Sequence, residues 1–189
     1  MIPNSPNDGK PALKLRRLQE VSLKNKRALV RVDYNVPLKG GVVEDNARIR
    51  ETLATIKHLI ENGAKTVLIS HLGRPKGKPE AKYSLRPVAA ELEKLLGQPV
   101  LFVEDCVGPA AEKASAGLKP GGVLLCENLR FHAGEEANDP AFAKSLAKLG
   151  DVFVQDAFGA LHRAHASTAG VPKSLQGSIG FLVQRELEF

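Results

Sequence analysis

The chain has 189 residues, which allows one large domain with a sizeable core or two small domains. Its 27 lysine and arginine residues outnumber the 21 acidic residues, and the net charge of +6 suggests an anionic partner such as nucleic acid, a membrane surface or a phosphorylated metabolite. Taken alone, the net charge is explained most simply by a basic surface that contributes to solubility. The absence of tryptophan and the presence of only two tyrosines argue against a surface that stacks nucleic-acid bases.

The sequence also argues against a secreted or membrane protein. Cys106 and Cys126 form neither a CxxC motif nor a disulfide framework, so we expect reduced thiols in a cytoplasmic protein. The first residues are polar and lack the apolar region of a signal peptide. No apolar run approaches the ~18 residues needed for a membrane span.

Short apolar runs alternate along the chain with segments of helical periodicity. Residues 1–12 are predicted to form a loose tail, followed by a short leading segment. Strands are predicted at 28–32, 66–70, 100–103, 123–126 and 152–154, with one more apolar run at 179–183. Helices are predicted at 47–61, 85–96, 109–116 and 141–149. This alternation predicts an α/β fold in which a parallel sheet is covered by helices on both faces.

Polar and basic residues come after several of the predicted strands. Asp33 and Asn35 come after the first strand, and two residues spaced by two on an extended chain face the same side. The others are Arg48, His71, Arg74, Asn128, Arg130, His132, His162 and Arg163. Carboxyl ends of parallel strands share one edge of a sheet, and arginine binds phosphate and carboxylate groups bidentately. The set therefore predicts a pocket for a small, multiply charged anion with a hydroxyl group to orient.

Each of these residues also has a structural interpretation. A single arginine after a strand is usually solvated or paired with a carboxylate, and Asp33 alone can cap a turn. We interpret Asp156 and His165 as structural and His58 as a surface residue. The joint recurrence of the basic residues, and not any single one of them, favours the anion site.

Three familiar motifs are rejected. The segment from Gly73 to Lys78 is one residue short of a P-loop, and Pro79 replaces the serine or threonine that would hold magnesium. Asp33, Asn35 and Glu44 have the spacing of ligands in a calcium-binding loop, but Leu38 stands at the position where that loop needs glycine. The histidines have arginine neighbours, whose repulsion makes a metal site improbable, so no metal is predicted.

Four motifs closely resemble phosphoglycerate kinase in their order and spacing, over about 26–187. They are Arg31-Val-Asp-Tyr-Asn-Val-Pro37, Ser70-His-Leu-Gly-Arg-Pro-Lys-Gly77, Glu127-Asn-Leu-Arg-Phe131, and Asp156-Ala-Phe-Gly159 followed by His162-Arg-Ala-His165. The resemblance implies a Rossmann-like N-terminal substrate-binding domain over 13–180, with a six-stranded parallel sheet. It also implies the start of a hinge helix at 181–189. The helical pattern there reaches the last residue without a cap, which suggests a chain cut from a longer one.

The resemblance further implies a role for each site residue. Asp33 and Asn35 would hydrogen-bond the hydroxyl of 3-phosphoglycerate or 1,3-bisphosphoglycerate. The catalytic residue would be Arg48, which would face the transferring phosphoryl group. The basic side chains around the phosphate and carboxylate would be those of Arg48, His71, Arg74, Arg130, His162 and Arg163. The backbone of Leu72 and Gly73 would pass close to the ligand. One departure is Ala160-Leu161, where the family usually has Thr-Ala, and the bulkier Leu161 could shift the loop that carries His162.

These implications define the predicted function. The chain is expected to be the substrate-binding half of a glycolytic, monomeric, cytoplasmic kinase and to bind 3-phosphoglycerate without being active alone. Mg-ADP or Mg-ATP would be bound by a C-terminal domain that the 189 residues do not contain, and the chain itself would hold no cofactor. Two alternatives are a basic module that binds nucleic acid and a segment concerned only with folding or self-association.

Overall fold

The computed structural model describes residues 15–188, and its main element is a parallel sheet. The sheet strands are β1 (Arg27–Arg31), β4 (Lys65–Ile69), β5 (Leu101–Val103), β6 (Val123–Cys126), β7 (Val152–Gln155) and β8 (Gly177–Ile179). They lie in the order β5–β6–β4–β1–β7–β8. A separate antiparallel hairpin joins β2 (Leu38–Lys39) to β3 (Val42–Val43). The six-stranded parallel sheet confirms the predicted Rossmann-like α/β class.

Helices cover both faces of this sheet. The α-helices are α1 (Ala47–Glu51), α2 (Leu53–Glu61), α3 (Arg86–Leu96), α4 (Pro109–Ala116), α5 (Ala133–Glu136), α6 (Pro140–Ala147) and α7 (Phe181–Leu187). Shorter helical turns occur at Leu18–Glu20, Ala81–Tyr83, Leu129–Phe131, Phe158–Ala160, Ala166–Gly170 and Val171–Lys173. Val30 of β1 packs in one core with residues of α1, α2 and α3, whereas its neighbour Leu29 packs in a second core with residues of α4 and α6. This alternation results from the period of two along a strand.

The order of the strands reverses around β1, which lies between β4 and β7. The N–H of Val32 donates to the Ile69 carbonyl at 3.0 Å, and the N–H of Asp156 donates to the Arg31 carbonyl at 2.9 Å. The loops that leave β1, β4 and β7 therefore begin side by side at one edge of the sheet. In open α/β sheets this crevice is where ligands bind.

The predicted helix at 47–61 is wrong as a single element, because Thr52 separates α1 from α2. The Thr52 hydroxyl donates to the Ile49 carbonyl at 2.7 Å and lies 2.8 Å from the Tyr34 hydroxyl. A threonine side chain that bonds the backbone in this way competes with regular helical hydrogen bonds.

His58 is also not the surface residue that the sequence predicted. It is half-buried, and its ring meets the ring of Phe181 edge-on with 5.1 Å between centroids. The apolar run at 179–183 is divided between the end of β8 and the start of α7, which packs against α2.

The predicted tail at 1–12 and the last residue of the predicted hinge helix, Phe189, lie outside residues 15–188. Cys106 and Cys126 are both buried, free thiols. Within the described range, no helix is both long enough and apolar enough to cross a membrane.

Candidate anion-binding site

A cavity of about 360 Å³ opens at the carboxyl edge of the sheet, beside β1. Its wall is formed by the end of β1, the start of α1 and residues that come after β1, β4, β6 and β7. The lining residues are Arg31, Asp33, Asn35, Arg48, His71, Gly73, Arg74, Arg130, Glu136, Gly159, Ala160, Arg163 and His165. Eight of the ten residues predicted from the sequence are thus brought together, and Leu72 and His162 are not among them.

Asp33 and Asn35 face the cavity because Tyr34, between them, is tied into the core. Tyr34 is fully buried, its hydroxyl lies 2.8 Å from Thr52 Oγ1, and its N–H donates to Ser70 Oγ at 2.9 Å. Its two neighbours on the extended chain therefore point the other way. The Asp33 carboxylate also accepts the Asn35 N–H at 3.1 Å, which holds the pair in one geometry.

Arg48 lies above this pair, at the start of α1. One of its terminal nitrogens lies 3.2 Å from each carboxylate oxygen of Asp33 and donates to the Asn35 carbonyl at 3.0 Å. Half of the Arg48 side chain stays exposed, so the guanidinium is anchored at one nitrogen and open to the cavity with the others. Asp33 also explains how a cation is tolerated in the first turn of a helix, where the macrodipole favours anions.

The loop after β4 joins two walls of the cavity through the backbone of Gly73. The Gly73 N–H donates to Asn35 Oδ1 at 2.9 Å, and the Gly73 carbonyl accepts from Arg130 at 3.0 Å. Because Oδ1 of Asn35 is engaged, its NH₂ group is the part that can meet a ligand. Gly73 has a φ of +61°, and a Cβ there would clash with the ring of Tyr83.

Leu72 serves a different purpose, because both of its backbone groups bond to Asn128. The Asn128 side chain accepts the Leu72 N–H at 3.3 Å and donates to the Leu72 carbonyl at 2.7 Å. It also accepts the N–H of Arg130 at 3.0 Å. Asn128 therefore fixes the loop after β4 to the loop after β6, and Leu72 positions that loop.

Arg31 is a wall residue that was not predicted from the sequence. It is 1% exposed, donates to Ser167 Oγ at 2.8 Å and to the Val32 carbonyl, and lies 2.9 Å from Nδ1 of His71. Burial lowers the pKa of the Arg31 guanidinium. A charged residue inside an apolar strand, two places before Asp33, was the available signal, since arginine is rarely buried without a specific partner.

His71 is a neutral group in this arrangement. Burial, followed by the charges of Arg31 and Arg130, lowers the pKa of its imidazole to about 2. Because a guanidinium can only donate, Nδ1 of His71 accepts the bond from Arg31 and the proton is on Nε2. His71 thus offers a hydrogen-bond donor and adds no positive charge.

The loop after β7 completes the wall with Arg163 and His165. The Arg163 carbonyl accepts from the Thr168 hydroxyl at 2.9 Å, and the Arg163 side chain is exposed. Burial lowers the pKa of His165. His162 is exposed and its ring lies edge-on to Phe158, 6.1 Å between centroids, beside the exposed Leu161.

The electrostatic character of the cavity is strongly positive. Five arginines line it against two carboxylates, Asp33 and Glu136, which leaves a formal charge of +3 with the histidines neutral. Arg130 is 13% exposed at its side chain and lies 3.5 Å from Glu136. A concave site with this excess of guanidinium groups is suited to a small ligand that bears several negative charges.

Comparison with known proteins gives a consistent result. A relative from Moorella thermoacetica, named phosphoglycerate kinase, is 61% identical over 171 residues, covering 90% of this chain and 44% of the relative. A chloroplastic phosphoglycerate kinase from Volvox carteri is 55% identical over 91% of this chain and 38% of its own length. The chain therefore spans about half the length, or less, of the curated relatives that it matches. These matches do not support the nucleic-acid or self-association alternatives.

Solved structures agree with these relatives. A phosphoglycerate kinase from Pyrococcus horikoshii superposes with a TM-score of 0.85 at 36% identity, over 92% of this chain and 44% of that one. One from Coxiella burnetii gives 0.83 at 40% identity, over 92% and 43%. Residues 18–189 match the family described as phosphoglycerate kinase. With the predicted motifs gathered around one basic cavity, the match shows that this chain belongs to the phosphoglycerate kinase family.

Proposed function

We propose that the cavity beside β1 binds 3-phosphoglycerate, or 1,3-bisphosphoglycerate in the opposite direction of the reaction. The observation that carries the proposal is the convergence of five arginines on one small cavity. 3-Phosphoglycerate bears a phosphate of about −2 and one carboxylate, which matches the formal charge of +3 in the wall. The arginines would bind its two anionic ends.

Between those ends the ligand has one hydroxyl group, which fits the polar pair on the floor of the cavity. The Asp33 carboxylate would accept a hydrogen bond from that hydroxyl, and the Asn35 NH₂ group would donate one to it. Neutral His71 would donate through Nε2. Gly73, Arg74, Arg130 and Arg163 would complete the binding site, while Leu72 and His162 would act from behind the wall or outside it.

We further propose that the complete enzyme transfers a phosphoryl group between 1,3-bisphosphoglycerate and ADP. The acyl-phosphate P–O bond breaks, the carboxylate of 3-phosphoglycerate leaves, and a terminal oxygen of ADP forms the new bond to phosphorus. Arg48, exposed at the mouth of the cavity, would neutralise charge on the transferring group, because such reactions depend on positioning and electrostatic stabilisation. The magnesium nucleotide would be held by the domain outside these 189 residues. We also propose a monomer in the cytoplasm, in keeping with its buried free thiols.

A titration of the 189-residue chain with 3-phosphoglycerate tests the binding proposal. Calorimetry should give one saturable site, and Arg130→Ala should weaken binding by at least ~30-fold, equivalent to ~2 kcal/mol. Arg86→Ala is the matched control, because Arg86 is an exposed arginine paired with Glu104 away from the cavity. Equal losses in the two variants, or no saturation in the wild-type chain, would contradict the proposal.

A further inference from the structure

A second polar cluster lies on the far side of the loop that carries Arg130. One donor atom from each of Asp105, Cys106 and His132 lies within 4.8 Å of the others. His132 Nε2 and Asp105 Oδ1 are 2.7 Å apart. The arginine neighbours of His132 in the sequence argued against it as a metal ligand, but in the structure His132 lies outside the anion-binding cavity and faces a carboxylate and a thiol.

The three side chains are held in place by backbone hydrogen bonds and by packing. Asp105 accepts the N–H of Cys106 at 2.7 Å and that of Val107 at 3.3 Å, which fixes the loop between β5 and α4. The His132 ring stacks on Phe142 with 5.1 Å between centroids. Cys106 is fully buried in the core beside α4. A cluster that is positioned before a ligand arrives loses little conformational freedom on binding it.

The cluster borders a second cavity of the described residues. This cavity has a volume of about 760 Å³ and is larger than the anion-binding cavity. Asp105 and His132 line this cavity, together with Glu104 and Glu127. The Glu127 carboxylate accepts hydrogen bonds from the Ser84 hydroxyl at 2.6 Å and from the Leu85 N–H at 2.8 Å, and these bonds stabilise the start of α3. The approach to the cluster is therefore rich in carboxylates, unlike the arginine-lined site.

We propose that Asp105, Cys106 and His132 form a binding site for a thiophilic divalent cation such as Zn²⁺, with an open coordination position toward this cavity. Zinc takes nitrogen, sulfur and oxygen ligands at ~2.0–2.3 Å, which places tetrahedral donors roughly 3.3–3.8 Å apart. To reach that spacing, His132 Nε2 and Asp105 Oδ1, now hydrogen-bonded at 2.7 Å, would have to separate, and the atoms now up to 4.8 Å apart would have to approach. The cation would displace the thiol proton of Cys106 to solvent, and the resulting thiolate, the Asp105 carboxylate and a neutral imidazole together balance the charge of the cation.

The ligand set also selects the type of metal. Magnesium prefers six oxygen ligands and would gain little from a thiolate and an imidazole. The site is therefore separate from the magnesium nucleotide of the proposed reaction, and it can fail or succeed independently of 3-phosphoglycerate binding.

Cobalt titration of the metal-free 189-residue chain tests this inference, because Co²⁺ replaces Zn²⁺ and reports thiolate ligation by charge-transfer absorption. One equivalent of Co²⁺ should produce that absorption, excess Zn²⁺ should abolish it, and excess Mg²⁺ should not change it. Cys106→Ser should eliminate the band, whereas Cys126→Ser, the matched buried thiol, should keep it.

His132→Asn provides a second variant that does not disturb the buried thiol. It should weaken Co²⁺ binding by at least ~100-fold while circular dichroism stays that of the wild-type chain. The inference is overturned if the wild-type chain shows no thiolate band, if the band survives in Cys106→Ser, or if His132→Asn binds Co²⁺ as tightly as the wild-type chain does.

Discussion

At the scale of single residues, Arg31 is the side chain on which the geometry of the site depends. It is buried at the end of β1, and its guanidinium is hydrogen-bonded to Ser167 and His71, which fix its position. By fixing Nδ1 of His71 as an acceptor, it directs the Nε2 proton to the cavity. A buried guanidinium in the cavity wall also adds a positive charge that solvent screens little.

We therefore predict that Arg31→Lys both destabilises the fold and weakens 3-phosphoglycerate binding. Lysine cannot bridge Ser167 and His71 at once, and a buried donor or acceptor left unpaired costs about 1–3 kcal/mol. Urea unfolding should show a loss of at least ~2 kcal/mol, and calorimetry a loss of affinity of about tenfold or more.

Arg27→Lys is the matched control on the same strand. Arg27 pairs with Asp151 at 3.1 Å at the opposite end of β1, with its side chain partly exposed. A change of less than ~1 kcal/mol is expected, with unaltered ligand affinity. If the two variants behaved alike, the positioning role of Arg31 would be wrong.

At the scale of elements, the site depends on loops that leave the strands and are tied to one another. Gly73 is central to this, since its backbone holds Asn35 on one side and Arg130 on the other. The positive φ at Gly73 and the nearby Tyr83 ring both require glycine.

We predict that Gly73→Ala lowers ligand affinity as well as stability, because the new methyl group clashes with the Tyr83 ring and forces the ring or the Gly73 loop to move. Gly97→Ala separates strain from displacement: Gly97 has a similar φ of +69°, but nothing lies within 4 Å of its Cβ position. Both variants bear the left-handed strain of ~1 kcal/mol, and Gly73→Ala should lose at least ~1 kcal/mol more. Calorimetric affinities that fell equally in both variants would argue against the role of the Gly73 loop.

Asp156, directly after β7, holds the start of helix α7 by a hydrogen bond, in keeping with the structural role that the sequence predicted. The Leu182 N–H donates to Asp156 Oδ1 at 3.0 Å, and the Phe181 N–H donates to Thr55 Oγ1 at 3.0 Å. Burial raises the pKa of the Asp156 carboxyl from 3.8 to about 6. The folded chain therefore holds this proton over a pH range in which the unfolded chain has released it.

Stability should consequently fall as pH rises from about 4 through about 6, by up to ~3 kcal/mol from this group. Asp156→Asn should remove that decline in urea unfolding measured across the range. Asp151→Asn should leave it in place, because pairing with Arg27 lowers the pKa of Asp151 and its effect lies at lower pH. A decline that persists in Asp156→Asn would assign the titration to another group.

At the scale of the whole molecule, the sequence predicted the features that depend on strand periodicity and sheet topology. Asp33, Arg74 and Arg130 come after different strands, and a parallel sheet brings such positions to one edge. The features that it missed depend on contacts between distant segments. The pairing of Leu72 with Asn128, the turn of His132 toward Asp105 and the burial of Arg31 against Ser167 join residues far apart in the chain. Local pattern contains no information about those partners.

The whole chain also sets the limit of its own chemistry. It spans about 44% of its Moorella relative, and phosphoryl transfer needs both substrates held in line with water excluded. We predict that these 189 residues bind 3-phosphoglycerate without ATP-dependent turnover in a coupled assay. Thermal unfolding should show stabilisation that grows with ligand concentration, reaching about 2.7 kcal/mol at 100 times the dissociation constant.

Glycerol 3-phosphate distinguishes recognition of the whole ligand from simple phosphate binding, because it keeps the phosphate and the hydroxyl but lacks the carboxylate. With five arginines around the cavity, some stabilisation by this compound is expected, at concentrations at least ~tenfold higher than for 3-phosphoglycerate. Equal potency of the two compounds would mean that the arginines bind phosphate alone. Turnover of ATP by the chain itself would mean that the nucleotide site lies within these residues, and the proposed division of labour would have to be abandoned.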